Sequence, residues 1–234
     1  MKRVAVIPSA GRGARMGGSG SAGRKNKNYL PIRGVPVIAL TLKVFDSSPV
    51  IDSIVLVVPP GDVDFCRDEI VAEHGIGKVS HIVPGGSERQ DSIRNGLAKV
   101  GHDAGIIVVH DGARCLVTGA LIESAVRAAE EVGAAVTAVP VKDTIKTVRD
   151  GLVQRTLVRE ELRAVQTPQA FGAEILRRAY DEAYADGVLA TDCAALVERL
   201  GAPVAVVPGA YENIKITTPE DLLLAERMLA AREA

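Results

Sequence analysis

Short apolar runs alternate along the chain with stretches whose apolar positions recur every three or four residues. Val4–Ile7 is an unbroken apolar run ended by Pro8, and Val37–Phe45 carries the helical repeat. Ile54–Val58 predicts a second strand, stopped by Pro59-Pro60-Gly61. Asp62–Glu73 predicts a helix and Val79–Val83 a third strand. Ser87 stands where an N-cap belongs for a helix over Glu88–Lys99. Ile106–Val109, Leu121–Glu131 and Ala134–Pro140 then predict strand, alanine-rich helix and strand. Strands of this length separated by helical patterns imply βαβ units, hence an α/β fold with a mostly parallel, doubly wound sheet.

The rhythm changes after Pro140. Thr144–Arg159 alternates β-branched residues around Arg149-Asp150-Gly151, the pattern of a β-hairpin. It carries little large apolar surface, so residues 142–160 are expected to project from the body as an arm. Two short helices are expected after Gln166-Thr167-Pro168-Gln169, at about Ala173–Tyr184 and Asp192–Leu200. A strand at Val204–Val207, an extended Asn213–Ile216 and a helix from Pro219 follow. Without repeats or linkers, residues 1–234 read as a single domain with an arm.

Composition narrows the partners. Net charge is −1 and aromatic residues make up 3%, which argues against nucleic acid as a partner. The cysteines, Cys66, Cys115 and Cys193, lack metal or disulfide spacing and suit a reducing cytoplasm. No apolar run reaches membrane-spanning length, so no membrane partner is expected. Charge is unevenly placed, however. Nine Lys or Arg precede the first acid, Asp46, and most fall in a glycine-rich stretch from Gly11 to Lys27. Glycines let backbone N–H groups approach an anion and nearby cations neutralise it, so the stretch reads as a polyphosphate cradle.

Three glycine-loop chemistries compete for it. A dinucleotide fingerprint requires a third glycine where Met16 stands, and an acid about 20 residues on that is absent. A Walker A loop requires Lys-Ser/Thr after its last glycine, where the chain has Arg24-Lys25-Asn26. Gly11-x-Gly13-x-Arg15-Met16 with Lys27 downstream fits a nucleotidyltransferase loop. Pro84-Gly85-Gly86-Ser87, after the third strand, is either a capped βα turn or a second wall of the same pocket. Asp111, after the fourth strand, is either a helix cap or a magnesium ligand beside phosphates. Arg114 either binds phosphate or pairs with Asp111. His74, His81 and His102 read as solvated residues, and nothing resembles an acyl-transfer triad. The cations Arg15, Lys27, Arg114, Lys142, Lys146, Arg159 and Lys215 are an inventory for phosphoryl or nucleotidyl transfer.

The chain resembles the 2-C-methyl-D-erythritol 4-phosphate cytidylyltransferase family nearly end to end. The resemblance rests on Ser9-Ala10-Gly11-x-Gly13-x-Arg15-Met16, Lys27-Asn28-Tyr29-Leu30, Gly85-Gly86-x-x-Arg89-x-Asp91-Ser92 and His110-Asp111-x-Ala113-Arg114. It continues through Pro140–Lys146, Thr167-Pro168-Gln169-x-Phe171, Thr191-Asp192 and Asn213–Thr217. It implies a Rossmann-like nucleotidyltransferase, a homodimer whose arms reach into the partner's site, using CTP with Mg²⁺. Carried over, Arg15 and Lys27 stabilise the transition state, Lys215 holds the reacting phosphates, and Arg159 positions the alcohol phosphate. Ser9, Ala10, Gly11, Gly13, Gly86, Ser87, Ser92, Asp111 and Gly112 bind CTP, with Asp111 at the metal. Asp111, Arg114, Thr144, Arg159, Thr167, Thr191 and Lys215 contact the alcohol phosphate.

The chain departs from the family's usual pattern at Ser9, at Asn26-Lys27-Asn28 where Pro-Lys-Gln is usual, at Gly112 and Cys115, and at Cys193, where an acid is common. Its Gly17–Gly23 cluster raises the entropy cost of ordering the loop, which is expected to be open without CTP. A cytidylyltransferase for ribitol phosphate or another polyol phosphate shares nearly all these markers. A nucleotide-binding module without catalysis is the remaining alternative, opposed by the joint presence of Arg15, Lys27, Asp111 and Lys215.

Overall fold

The computed structural model describes residues 1–11 and 26–232. Gly13 and Arg15, and all but Asn26 of the loop 17–26 expected to be open, lie outside the described residues. The chain runs β1 (Lys2–Pro8), β2 (Pro31–Ile32), β3 (Val35–Pro36), α1 (Val37–Ser47), β4 (Ser53–Val58) and α2 (Val63–Phe65). A π-helix, Cys66–Ala72, prolongs α2. Next come β5 (Val79–Pro84), α3 (Arg89–Leu97), β6 (Ala104–Val109), α4 (Gly119–Val132) and β7 (Ala134–Pro140). The arm is β8 (Lys146–Arg149) and β9 (Leu152–Thr156), and β10 (Arg163–Gly172) follows it. The chain closes with α5 (Ala173–Ala185), α6 (Cys193–Arg199), β11 (Ala205–Pro208) and α7 (Pro219–Arg232).

The central sheet has the order β11-β7-β10-β6-β1-β4-β5. Every pairing is parallel except those of β10, which runs antiparallel to both β6 and β7. Alternation along the strands divides the core in two. Ala5 and Ile7, Ile54 and Leu56, and Ile106 and Val108 face α1, the π-helix and α4. Val4 and Val6, Val55 and Val57, and Ile107 and Val109 face α3, α5 and α6. Burial on both faces accounts for strands that read as continuous apolar runs. A third cluster sets α7, through Ala225, against Ile32, Val37, Leu116 and Ile216.

Two sequence expectations need correction. The two helices expected after residues 166–169 are present as α5 and α6, but residues 166–169, for which no strand was expected, lie inside β10, whose buried half is Gln166–Phe171. Pro168 argues against a central strand, because proline cannot donate to a ladder. Here the register against β7 shifts between Val165 and Gln169, so Pro168 falls where the pairing is interrupted. The N-cap of α3 is Glu88, which forms a reciprocal capping box with Asp91; the Ser87 hydroxyl instead donates to Asp91 at 2.6 Å.

The expected hairpin is present, and most of its residues are exposed. Asp150 and Gly151 both take positive φ, 52° and 76°, the backbone of a tight two-residue turn for which Asp-Gly is suited. Core and arm should therefore differ in their contribution to stability. Phe171→Ala, which empties a fully buried position on β10, should lower the unfolding free energy by about 3–5 kcal/mol in urea titration. Leu152→Ala on the arm should change it by less than about 0.5 kcal/mol in the isolated subunit.

Candidate active site

Parallel strands deliver their carboxyl ends to one edge of the sheet, and a cavity of about 680 Å³ opens there. Ser9, Ala10 and Gly11 come from the end of β1, Gly86, Ser87, Arg89 and Ser92 from the β5–α3 turn, and Asp111 and Gly112 from the end of β6. Lys27 and Lys215 line it from the segments around them. The two glycine turns abut. A Cβ on Gly85 would lie 2.3 Å from that of Ala10, so no larger residue fits without moving a wall.

Ser9 is anchored from several sides. Its N–H donates to Val57 O at 2.7 Å, and its carbonyl accepts from the Asn26 amide at 2.8 Å. Asn28 donates to its hydroxyl at 2.5 Å. Asn26 also caps the 3₁₀ turn Lys27–Tyr29, accepting from Asn28 N at 3.0 Å. The Asn-Lys-Asn segment therefore ties Lys27 to the first glycine turn. Lys27 Nζ donates at 2.5 Å to the carbonyl of Ile216, next to Lys215. The Asn213–Ile216 segment joins no sheet; it is docked by Ile216 N–H on Ala113 O at 2.9 Å and by Asn213 on Thr167 O at 2.8 Å.

Asp111 is the electrostatic centre. It is 7% exposed, and burial alone would raise its carboxyl pKa. Arg89, Lys215 and Arg114 outweigh that and hold it well below the usual carboxylate range. Arg89 donates to Oδ1 from Nε at 3.2 Å and Nη2 at 3.1 Å, and Lys215 Nζ sits 2.8 Å from Oδ2. Arg114 Nε lies 3.8 Å from Oδ2, while its Nη1 donates to Asn213 O at 2.7 Å. Arg114 thus stands with Asp111, behind the cavity wall.

The backbone of Asp111 is held separately. Its N–H donates to Thr167 Oγ1 at 3.0 Å, and that hydroxyl lies 3.0 Å from His110 Nδ1. His110 Nε2 lies 3.1 Å from Arg114 O. Burial pushes the imidazole pKa down to about 4, so the ring is neutral near pH 7. Nε2 then donates to the carbonyl and Nδ1 accepts from Thr167.

Of the residues expected from sequence, Ser9, Ala10, Gly11, Lys27, Gly86, Ser87, Ser92, Asp111, Gly112 and Lys215 meet around the cavity. Thr167 does not line it; its hydroxyl is buried between Asp111 and His110. Thr144, Arg159 and Thr191 are exposed and outside the lining, and Arg159 donates to Lys142 O at 3.3 Å. Lys142 lies over the Tyr211 ring and Lys146 donates to Thr156, and neither lines the cavity. Sequence reasoning gave His110 and Arg89 no role, although both stood in motifs. Spacing does not reveal that residues 22 apart share an ion pair. All three cysteines are buried, and none is in a disulfide.

The profile of the 2-C-methyl-D-erythritol 4-phosphate cytidylyltransferase family matches residues 3–231. The chain belongs to that family. It is 51% identical to the enzyme so named from Pelotomaculum thermopropionicum, over 99% of this chain and 96% of the relative. The Geobacter metallireducens enzyme of the same name is 47% identical, covering 98% of each chain. Among solved structures, 4-diphosphocytidyl-2C-methyl-D-erythritol synthase from Anaerococcus prevotii superposes with a TM-score of 0.85 at 31% identity, covering 98% of this chain and 96% of that one. The 2-C-methyl-D-erythritol 4-phosphate cytidylyltransferase of Thermus thermophilus gives 0.78 at 33%, covering 98% and 100%. The fold of this cytidylyltransferase family is thus the α/β, mostly parallel architecture described above.

The buried hydroxyl of Thr167 gives a direct check on how Asp111 is held. Thr167→Val keeps the shape but leaves the Asp111 N–H unpaired. It should cost about 1–3 kcal/mol in urea unfolding, and an unchanged midpoint would show that the hydroxyl does not anchor Asp111.

Proposed function

We propose that the cavity is the nucleotidyl-transfer site, with CTP against the two glycine turns and the alcohol phosphate beside Asp111 and Lys215. The reaction is that of the family. A phosphate oxygen of 2-C-methyl-D-erythritol 4-phosphate attacks the α-phosphorus of CTP, the bond to the β-phosphate breaks, and pyrophosphate leaves. The product is 4-diphosphocytidyl-2-C-methyl-D-erythritol, an intermediate of non-mevalonate isoprenoid biosynthesis. A phosphate dianion is already nucleophilic at neutral pH, so the attack requires no general base. One observation carries the reading: Lys27, Arg89 and Lys215 converge with Asp111 on a single cavity walled by glycine turns. Transfer of this kind is achieved by positioning and charge stabilisation.

Lys27 and Lys215 lie on neighbouring segments, a setting in which they can share the charge that develops on the phosphates. Arg15 is assigned to the same task by the family resemblance. Arg114 and Thr167 act from behind, by orienting Asp111. Thr144, Arg159 and Thr191 are assigned to the alcohol phosphate by the same resemblance. The exposed arm carries the first two of these, and exposed Val148, Leu152 and Val153 make it a surface suited to a second copy. We therefore read the enzyme as a cytoplasmic homodimer with Arg159 acting in the partner's site. No described helix is long and apolar enough to cross a membrane.

Asp111 suits Mg²⁺. Two donors fill Oδ1, whereas Oδ2 takes Lys215 and keeps a lone-pair direction for a hard cation. No cluster of three or more His, Cys, Asp or Glu that could hold a metal occurs among the described residues, so the phosphates and water would supply the other ligands. A bound Mg²⁺ would neutralise triphosphate charge and favour departure of pyrophosphate.

Pyrophosphate release measured across CTP, ATP, GTP and UTP with methylerythritol phosphate or ribitol 5-phosphate tests the assignment. Turnover is expected with CTP and methylerythritol phosphate; turnover only with ribitol phosphate would overturn the acceptor. Lys215→Ala should lower kcat by about 10²–10³-fold with little change in folding, and a normal kcat would remove Lys215 from the chemistry.

A further inference from the structure

The contacts around Asp111 treat its two oxygens differently. Oδ1 receives Nε and Nη2 of Arg89, at 3.2 and 3.1 Å, whereas Oδ2 faces Lys215 Nζ at 2.8 Å. A carboxylate oxygen accepts along two lone-pair directions, so Arg89 fills Oδ1. Arg89 itself has little freedom at its root. It is the first residue of α3, directly after the Glu88 cap and within the capping box closed by Asp91. Its Nη1 lies 4.0 Å from the Sγ of Cys193, which is fully buried and 3.3 Å from Tyr180 OH. Burial raises the Cys193 thiol pKa, so the floor beneath the guanidinium is neutral. Among the described residues, Asp111 is the acid with which Arg89 pairs.

Resting on the transfer reaction assigned above, we propose that Arg89 is a positioning residue for catalysis. By closing Oδ1 it makes Asp111 address Lys215 and the bound substrates through Oδ2 alone, and the thiol of Cys193 leaves its fork undivided. Without the fork, the long contact of Arg114 Nε to Oδ2, 3.8 Å, is the weaker restraint that remains, and the carboxylate can rotate about its terminal bond and offer both oxygens to Lys215. That draws the ammonium towards Asp111 and away from the phosphates it serves. An acid at position 193 acts differently: it stands within reach of Nη1 and competes with Asp111 for the guanidinium. Lysine at position 89 restores charge but not the planar pair of donors.

Steady-state kinetics with CTP and methylerythritol phosphate on the wild type, Arg89→Ala, Arg89→Lys, Cys193→Asp and Cys193→Ser test this. Arg89→Ala should lower kcat about 10–100-fold, the range typical of partners that orient a ligand, while KM for CTP stays near the wild-type value. Added guanidinium ion, well below unfolding concentrations, should recover part of that kcat in Arg89→Ala and none elsewhere. Arg89→Lys should recover little, Cys193→Asp should lower kcat, and Cys193→Ser should not. If Cys193→Asp does not fold, the Arg89 series decides alone. An unchanged kcat in Arg89→Ala, a change confined to KM for CTP, full recovery by Arg89→Lys, or a loss that guanidinium leaves untouched would each overturn the proposal. A wild type without turnover would overturn the reaction itself; an active wild type with any of those results overturns the role of Arg89 alone.

Discussion

A carboxylate taken out of water loses several kcal/mol of hydration, and the Asp111 site recovers this only because cations from separate parts of the chain close on it. Arg89 comes from the start of α3, Arg114 from the turn after β6, and Lys215 from the irregular segment before α7. A buried ion pair of this kind is weak evidence for stability, since apolar residues of similar volume often serve as well. Its value here is geometric. Removing any one partner leaves the others misplaced, so the cluster couples three distant segments at the mouth of the cavity.

The scaffold explains why that coupling is possible. Six strands of the central sheet share one direction and end at one edge, and the antiparallel β10 enters among them from that edge. β10 thereby brings Thr167 under Asp111 and gives Asn213 a carbonyl to dock on. The same docking sets Lys215 beside Lys27, whose own position depends on the Asn26 and Asn28 bonds to Ser9. Main-chain and side-chain contacts among the described residues thus point towards the same place.

The alternating apolar runs made the βαβ order legible, because strands buried on both faces need continuous apolar sequence. The hairpin was legible from Asp150-Gly151, whose turn chemistry is local. β10 was hidden because Pro168 and its polar neighbours lack the apolar pattern of a buried strand, and a register shift that accommodates proline leaves no local signal. Among site residues, those in glycine turns were visible as motifs. Arg89 was seen only as part of a motif, and the inward-facing hydroxyl of Thr167 was not anticipated. Both roles depend on pairings across long sequence separations, which spacing does not encode. Asn26-Lys27-Asn28 stood out in the sequence only as a departure from the family's usual pattern; in the fold its amides fasten Ser9.

The central claim is that one ionised carboxylate organises the cations of the proposed transfer site. Asp111→Asn tests it most directly, since it removes the charge and keeps the shape. The account predicts that kcat with CTP and methylerythritol phosphate falls by at least about 10²-fold and that stability drops by about 1–3 kcal/mol as partly buried cations lose their counter-charge. A variant with wild-type turnover would contradict it.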